Sequence, residues 1–177
     1  TIVLVMLISA FVAMLNQTIL NTALPAIIKG LNITETTAQW LITGFMLVNG
    51  IMIPLTAFLM DKYTTRKLYI FSMAAFLIGS IIAALSPGFE ILMVARIIQA
   101  IGAGILLPLM QFTVFTLFPV EKRGFAMGLT GIVAQTAPAI GPTLTGLLID
   151  FFSWRMPFYI VAAIALIAFA IGFFFVE

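Results

Sequence analysis

The chain has 177 residues, of which 63% are hydrophobic and 8% charged, and its mean hydropathy is +1.26. Soluble domains carry roughly 25% charged residues, so this composition excludes one. The absence of cysteine and histidine removes disulfides, thiolate chemistry, imidazole metal sites and histidine proton relays, and a net charge of +2 without a basic stripe leaves no footprint for nucleic acid.

A helix needs about 20 apolar residues to cross roughly 30 Å of hydrocarbon, and six stretches qualify, at about 2–28, 38–60, 68–86, 90–118, 125–149 and 156–176. The fold class is therefore an all-α membrane protein with six transmembrane helices. No cleavable signal peptide is visible, and the first apolar run reads as a span. Because the chain opens on Thr1 and stops at Glu177 against an apolar run, a portion of a longer protein is expected.

The first span carries three amides, Asn16, Gln17 and Asn21, and the segment from Lys29 to Thr37 separates it from the second. Asp61-Lys62-Tyr63-Thr64-Thr65-Arg66-Lys67 divides the second from the third, and Ser86-Pro87-Gly88 is a tight turn before the fourth. Arg96 lies about six residues inside the fourth span, with Gln99 on the same face at i+3. A guanidinium at that depth costs several kcal/mol, so Arg96 is expected either to serve function beside a polar cavity or to be structurally paired. Pro119 to Gly124 precedes the fifth span, which holds Gly128, Gly131, Gln135, Pro138, Gly141, Pro142 and Gly146. Small residues let helices approach closely in lipid and proline bends them, so this helix is either a gate at a seam or a tightly packed structural element. Asp150 to Arg155 leads into the sixth span.

Loop charge gives an orientation. Lys62, Arg66, Lys67, Lys122 and Arg123 lie in the even loops against Lys29 and Arg155 in the odd ones, which places both ends in the cytoplasm. Trp40 and Trp154 then fall on the outer face, either in the headgroup zone or in ordinary helix packing. The carboxylates Glu35, Asp61, Glu90, Glu121, Asp150 and Glu177 all fall near span ends, loops or the chain end, and none is mid-span.

The chain also repeats itself. Thr56-Ala57-Phe58-Leu59-Met60-Asp61, then Thr64 and Arg66, recurs 89 residues later as Thr145-Gly146-Leu147-Leu148-Ile149-Asp150, then Ser153 and Arg155. At an offset of 83, Asn16 corresponds to Gln99 and Pro25 to Pro108. Three spans separate the copies, an odd number, so the two Asp-to-Arg loops lie on opposite sides of the membrane. That is an inverted 3+3 repeat, an arrangement in which transporters place a substrate site near the midplane.

Five segments in order resemble the motifs of the major facilitator superfamily, and within it the fourteen-helix drug:proton antiporter branch. They are Leu15 to Pro25, Ala57 to Lys67, Arg96 to Gly104, Gly131 to Gly146 and Ser153 to Phe158. The resemblance covers nearly the whole chain and implies that residues 1–177 are the N-terminal six-helix half of such a fold, with a C-terminal half absent. It also departs in places. Ala57 and Thr64 stand where the loop motif has glycines, Ala100 and Thr145 replace further glycines, and Asn16 occupies a position where many relatives carry an aspartate.

The resemblance assigns Asp61, Arg66 and Lys67 to a conformational latch against the other half, while their bland alternative is a solvated topogenic loop. A carboxylate such as Asp61 near a helix N-terminus and a guanidinium would be favoured electrostatically. Gly131, Pro138, Gly141, Pro142 and Gly146 take the antiporter-helix role. Arg96, Gln99, Asn16, Gln17, Asn21 and Gln135 are candidates to line a proton-coupling or substrate cavity, the amides serving alternatively as interhelical glue. The expectation is half of a multidrug efflux transporter in the cell membrane, conferring antibiotic resistance by exchanging lipophilic drug-like molecules for protons, with no metal or cofactor. The titrating carboxylate is expected in the absent half. A nutrient importer and a six-helix structural or assembly module are the rivals. An enzyme is disfavoured because the chain has no His, Cys, Gly-x-Ser-x-Gly elbow or intramembrane carboxylate pair.

Overall fold

The computed structural model describes residues 1–176. Six helices follow in order: α1 (Ile2–Leu31), α2 (Glu35–Lys62), α3 (Thr65–Leu85), α4 (Phe89–Leu117), α5 (Val120–Phe151) and α6 (Met156–Phe175). Each is long and apolar enough to cross a membrane. Four run beyond the expected apolar cores at one or both ends, because short polar segments are helical too. Glu35 opens α2 behind Thr34, whose hydroxyl accepts the Thr37 N–H at 3.2 Å. At α5, Glu121, Lys122 and Arg123 lie inside the helix rather than in a loop, after Pro119 at the N-cap. Asn32 ends α1 in the left-handed conformation (φ 52°), a role its short amide side chain tolerates.

Helices α1 and α4 occupy the centre. Around them, α2 packs on α4 and α5 packs on α1, while α3 and α6 pack against one another and against the central pair. These pairings exchange under α1↔α4, α2↔α5 and α3↔α6, which is the two-fold relation expected of the repeat. The largest close approach is between α3 and α4, where a Cβ added at Gly102 would lie 2.5 Å from the Ser72 carbonyl oxygen and 2.9 Å from Phe76 Cβ. Only a glycine fits there. The core is aliphatic and aromatic, with Phe45, Tyr69, Phe76, Phe158, Leu92 and Leu109 fully buried. Five of the 28 residues of α2 and five of the 32 of α5 are buried, so these two related helices keep broad uncovered faces.

Trp154 departs from the headgroup placement. It is 6% exposed, packs where Gly30 leaves room, and meets Phe158 edge-on with ring centroids 6.3 Å apart. Trp40, at 55% exposed, lies on the surface of the bundle.

Candidate functional site

The buried polar centre is built on α4. Arg96 is 1% exposed and Gln99, one turn on, is fully buried. The guanidinium lies over the Phe45 ring of α2, 4.1 Å from its centroid, and its Nη1 donates to Gln99 Oε1 at 3.0 Å. Gln99 Nε2 in turn donates to Ser80 Oγ of α3 at 3.0 Å and to Asn16 Oδ1 of α1 at 3.5 Å. Four helices therefore meet in one network, and Asn16 and Gln99, partners in the repeat, touch each other. Two donors remain unpaired, Arg96 Nε and Asn16 Nδ2.

No described carboxylate shares this interior. Glu35, Asp61, Glu90, Glu121 and Asp150 are all exposed at helix ends, and Glu177 lies outside the described residues. A buried cation without a carboxylate depends on ring and amide contacts, and a desolvated cation–π contact contributes about 2 kcal/mol against a desolvation penalty of several. Arg96 is thus held by its ring and amide contacts at a buried position among α1, α2, α3 and α4. The reason lies in register. Arg96 and Gln99 fall on the face of α4 that α1, α2 and α3 cover.

The other three amides stand apart. Gln17 is half-buried and Asn21 exposed, because one residue turns an α-helix by about 100° and both face away from Asn16. Gln135 is exposed on α5, where with Gly128, Gly131, Ile132, Thr136 and Ala139 it lines an open concavity of about 580 Å³. The structure therefore brings Arg96, Gln99 and Asn16 together and leaves Gln17, Asn21 and Gln135 outside. Phe45 and Ser80 complete the centre, and sequence reasoning passed over both. Their signal is weak, since one phenylalanine among 17 does not announce a cation partner.

The antiporter-helix residues divide as well. Gly141 is buried, and a Cβ there would run into the Thr18 hydroxyl of α1. Gly131 and Gly146 have open space at the same position, and Pro138 and Pro142 are exposed within an unbroken α5. Close packing is confined to one glycine, so the remainder of this face has no partner in the bundle.

At the loop motif, Asp61 and Lys67 are exposed and Arg66 is half-buried. Asp61 lies in the last turn of α2, so the expected placement near a helix N-terminus does not hold for its own helix, whose dipole there disfavours a carboxylate. Arg66, at the start of α3, donates from Nη2 to the Phe173 carbonyl in the last turn of α6 at 3.0 Å. Its repeat partner Arg155, at the N-cap of α6, donates from Nη2 to the Ser86 carbonyl at the C-cap of α3 at 2.8 Å. Helix C-termini leave carbonyls unpaired, and each arginine satisfies one on the opposite helix. Thr64 and Ser153, also related by the repeat, each accept a backbone N–H at the entry to the following helix, at 3.4 and 3.3 Å. The two loop motifs thus do the same local work at the two ends of one helix pair.

Comparison with known proteins decides the family. The model of the Major Facilitator Superfamily matches residues 6–177. The chain belongs to that superfamily. The MFS-type transporter YcnB of Bacillus subtilis is 55% identical over 163 residues, covering 92% of this chain and 34% of that protein. The lincomycin resistance protein LmrB of Bacillus subtilis is 43% identical over 94% of this chain and 35% of its own length. The probable multidrug resistance protein EmrY of Escherichia coli is 36% identical over 86% and 30%. The chain thus spans about a third of the length of the curated relatives it matches. Among solved structures, the peptide transporter POT in complex with alafosfalin superimposes with a TM-score of 0.84 at 13% identity, covering 95% of this chain and 36% of that one. That likeness concerns the fold alone. The six helices have the architecture of half a major facilitator fold, and the chain is a multi-pass membrane protein of this superfamily.

Proposed function

We propose that this chain forms the N-terminal half of a proton-coupled multidrug efflux transporter that exports lipophilic drugs by alternating access, in the cell membrane with both ends of the fragment cytoplasmic. The observation that carries the reading is the pair of uncovered faces on α2 and α5. They are related by the repeat, flank the central helices α1 and α4, and have the form a second six-helix half would cover. Resistance to lincomycin and to multiple drugs, in the names of LmrB and EmrY, supports efflux over nutrient import.

In this reading, Gly131, Pro138, Pro142 and Gly146 lie against the second half, and Gln135 with Gln17 and Asn21 offers hydrogen-bonding groups toward the space between the halves. Asp61 faces the second half as the latch residue, while Arg66 is already engaged with α6 and Lys67 stands at the α2–α3 cleft. Arg96, Gln99 and Asn16 fix the packing of the four helices that border that space and act on transport through it. Protons are carried by a carboxylate outside this chain, because none described here is buried.

The test is drug transport by the complete transporter in proteoliposomes with an imposed pH gradient. Uptake of a lipophilic cationic dye into the acidified interior, abolished by a protonophore, is the expected result. Dye movement indifferent to that gradient, together with accumulation of a sugar or amino acid when the gradient is reversed, would overturn the reading.

A further inference from the structure

Helices α2 and α3 both pack on α4 and barely on each other, which leaves a cleft of about 520 Å³ between them. Ile101 of α4 forms its floor, Met52 and Leu59 one wall, and Leu68 and Phe71 the other. Tyr63 and Lys67 are its polar members, and both stand at the end where the α2–α3 turn lies. We propose that this cleft binds an acyl chain of an anionic phospholipid, with the phosphate held by Lys67. The inference rests on the chain spanning a membrane and is independent of what is transported.

Three observations select that occupant. The first is depth. From Lys62 at the end of α2 back to Met52 is ten residues, about 15 Å of helix, which is half of a hydrocarbon core of roughly 30 Å. The cleft therefore runs from the interface to the midplane, the length of one leaflet.

The second is charge. The turn carries Lys62, Arg66 and Lys67 against Asp61. Lys62 lies over the Phe58 ring at 4.4 Å and Arg66 is bonded to the Phe173 carbonyl, so among the described residues Lys67 is the cation of this turn left at the cleft mouth. Basic side chains between transmembrane helices at the interface recognise anionic headgroups.

The third is lining. Met52, Leu59, Leu68, Phe71 and Ile101 make the cleft apolar away from its Lys67 end, the surface that an alkyl chain running from an interfacial headgroup covers.

The experiment is native mass spectrometry of the complete transporter in mild detergent, titrated with phosphatidylglycerol or with phosphatidylcholine of the same acyl chains. Wild type is expected to retain one phosphatidylglycerol at several-fold higher occupancy. Lys67→Gln should lower that retention about fivefold, and Lys67→Arg should preserve it. Leu59→Trp fills the cleft and should reduce retention of both lipids. Should it fail to fold, Phe71→Trp, at an exposed wall position, provides the same obstruction. Equal retention of the two lipids by wild type, or retention unmoved by Lys67→Gln, overturns the proposal. A photoreactive side chain at position 71 gives a separate readout. A lipid adduct supports the site, and an adduct to the rest of the polypeptide or to a second copy overturns it.

Discussion

Removing the two reciprocal arginine contacts one at a time should produce unequal losses. The Arg155 bond is 2.8 Å long, ends on a buried serine, and is backed by the Trp154 ring 4.3 Å from the guanidinium carbon. A hydrogen bond from a charged donor contributes about 1.5–3 kcal/mol and a partly exposed cation–π contact about 0.5–1, so Arg155→Ala should cost roughly 2 kcal/mol after allowance for solvent. Arg66, itself half-buried, makes a longer bond of 3.0 Å to the exposed residue Phe173, whose ring is 5.7 Å away, and Arg66→Ala should cost about 0.5–1 kcal/mol. The two contacts sit at opposite ends of α3, whose 21 residues span about 32 Å, so the double variant should show the sum within about 0.5 kcal/mol. Reversible denaturant unfolding of the complete transporter in mixed micelles, followed by tryptophan fluorescence, measures all four corners of the cycle. A loss for Arg66→Ala equal to or above that for Arg155→Ala, or a coupling beyond 1 kcal/mol, would refute the reasoning.

Arg96→Met removes a buried cation and keeps its volume, so thermal stability should stay within about 1 kcal/mol of wild type or rise while transport falls at least tenfold. Comparing melting curves with dye efflux separates these outcomes. Gln99→Leu strands the guanidinium and the Ser80 and Asn16 groups together, and should lower stability by about 2–4 kcal/mol in the same melts. Gly102→Val forces side-chain atoms against the α3 backbone and should cost about 3 kcal/mol or more, read as lost monodisperse protein on gel filtration. Gly141→Val should act similarly through Thr18, whereas Gly131→Ala, with open space at its Cβ, should leave the melt of this bundle unchanged and impair efflux if α5 meets a second half.

Six helices were legible because each apolar run matches the thickness of a bilayer, and the repeat was legible because Asp61 and Asp150 are followed at the same spacing by arginine. Helix ends were less so. Hydropathy stops where charge begins, yet backbone hydrogen bonding continues through Glu121, Lys122 and Arg123. Arg96 was found because its depth is anomalous, but the direction of its side chain depends on which face of α4 the neighbours cover, and no one-dimensional pattern carries that. The six polar residues looked alike in sequence for the same reason. Asn16 and Gln17 are adjacent in the chain, and the turn of the helix sends one into the interior and the other toward the edge. Trp154 faced inward because Gly30, 124 residues away, leaves a notch for it.

The arginines at the two ends of the α3–α6 pair also bear on membrane thickness. These are the two shortest helices, 21 and 20 residues, or about 32 and 30 Å, while the other four run from 28 to 32 residues, about 42–48 Å. Guanidinium groups tying both ends together hold the short pair in step, so it works as a ruler of fixed length. The longer helices reach past that length through polar ends such as Glu121 to Arg123, and a bilayer swollen by longer acyl chains would strain the braced pair before the others.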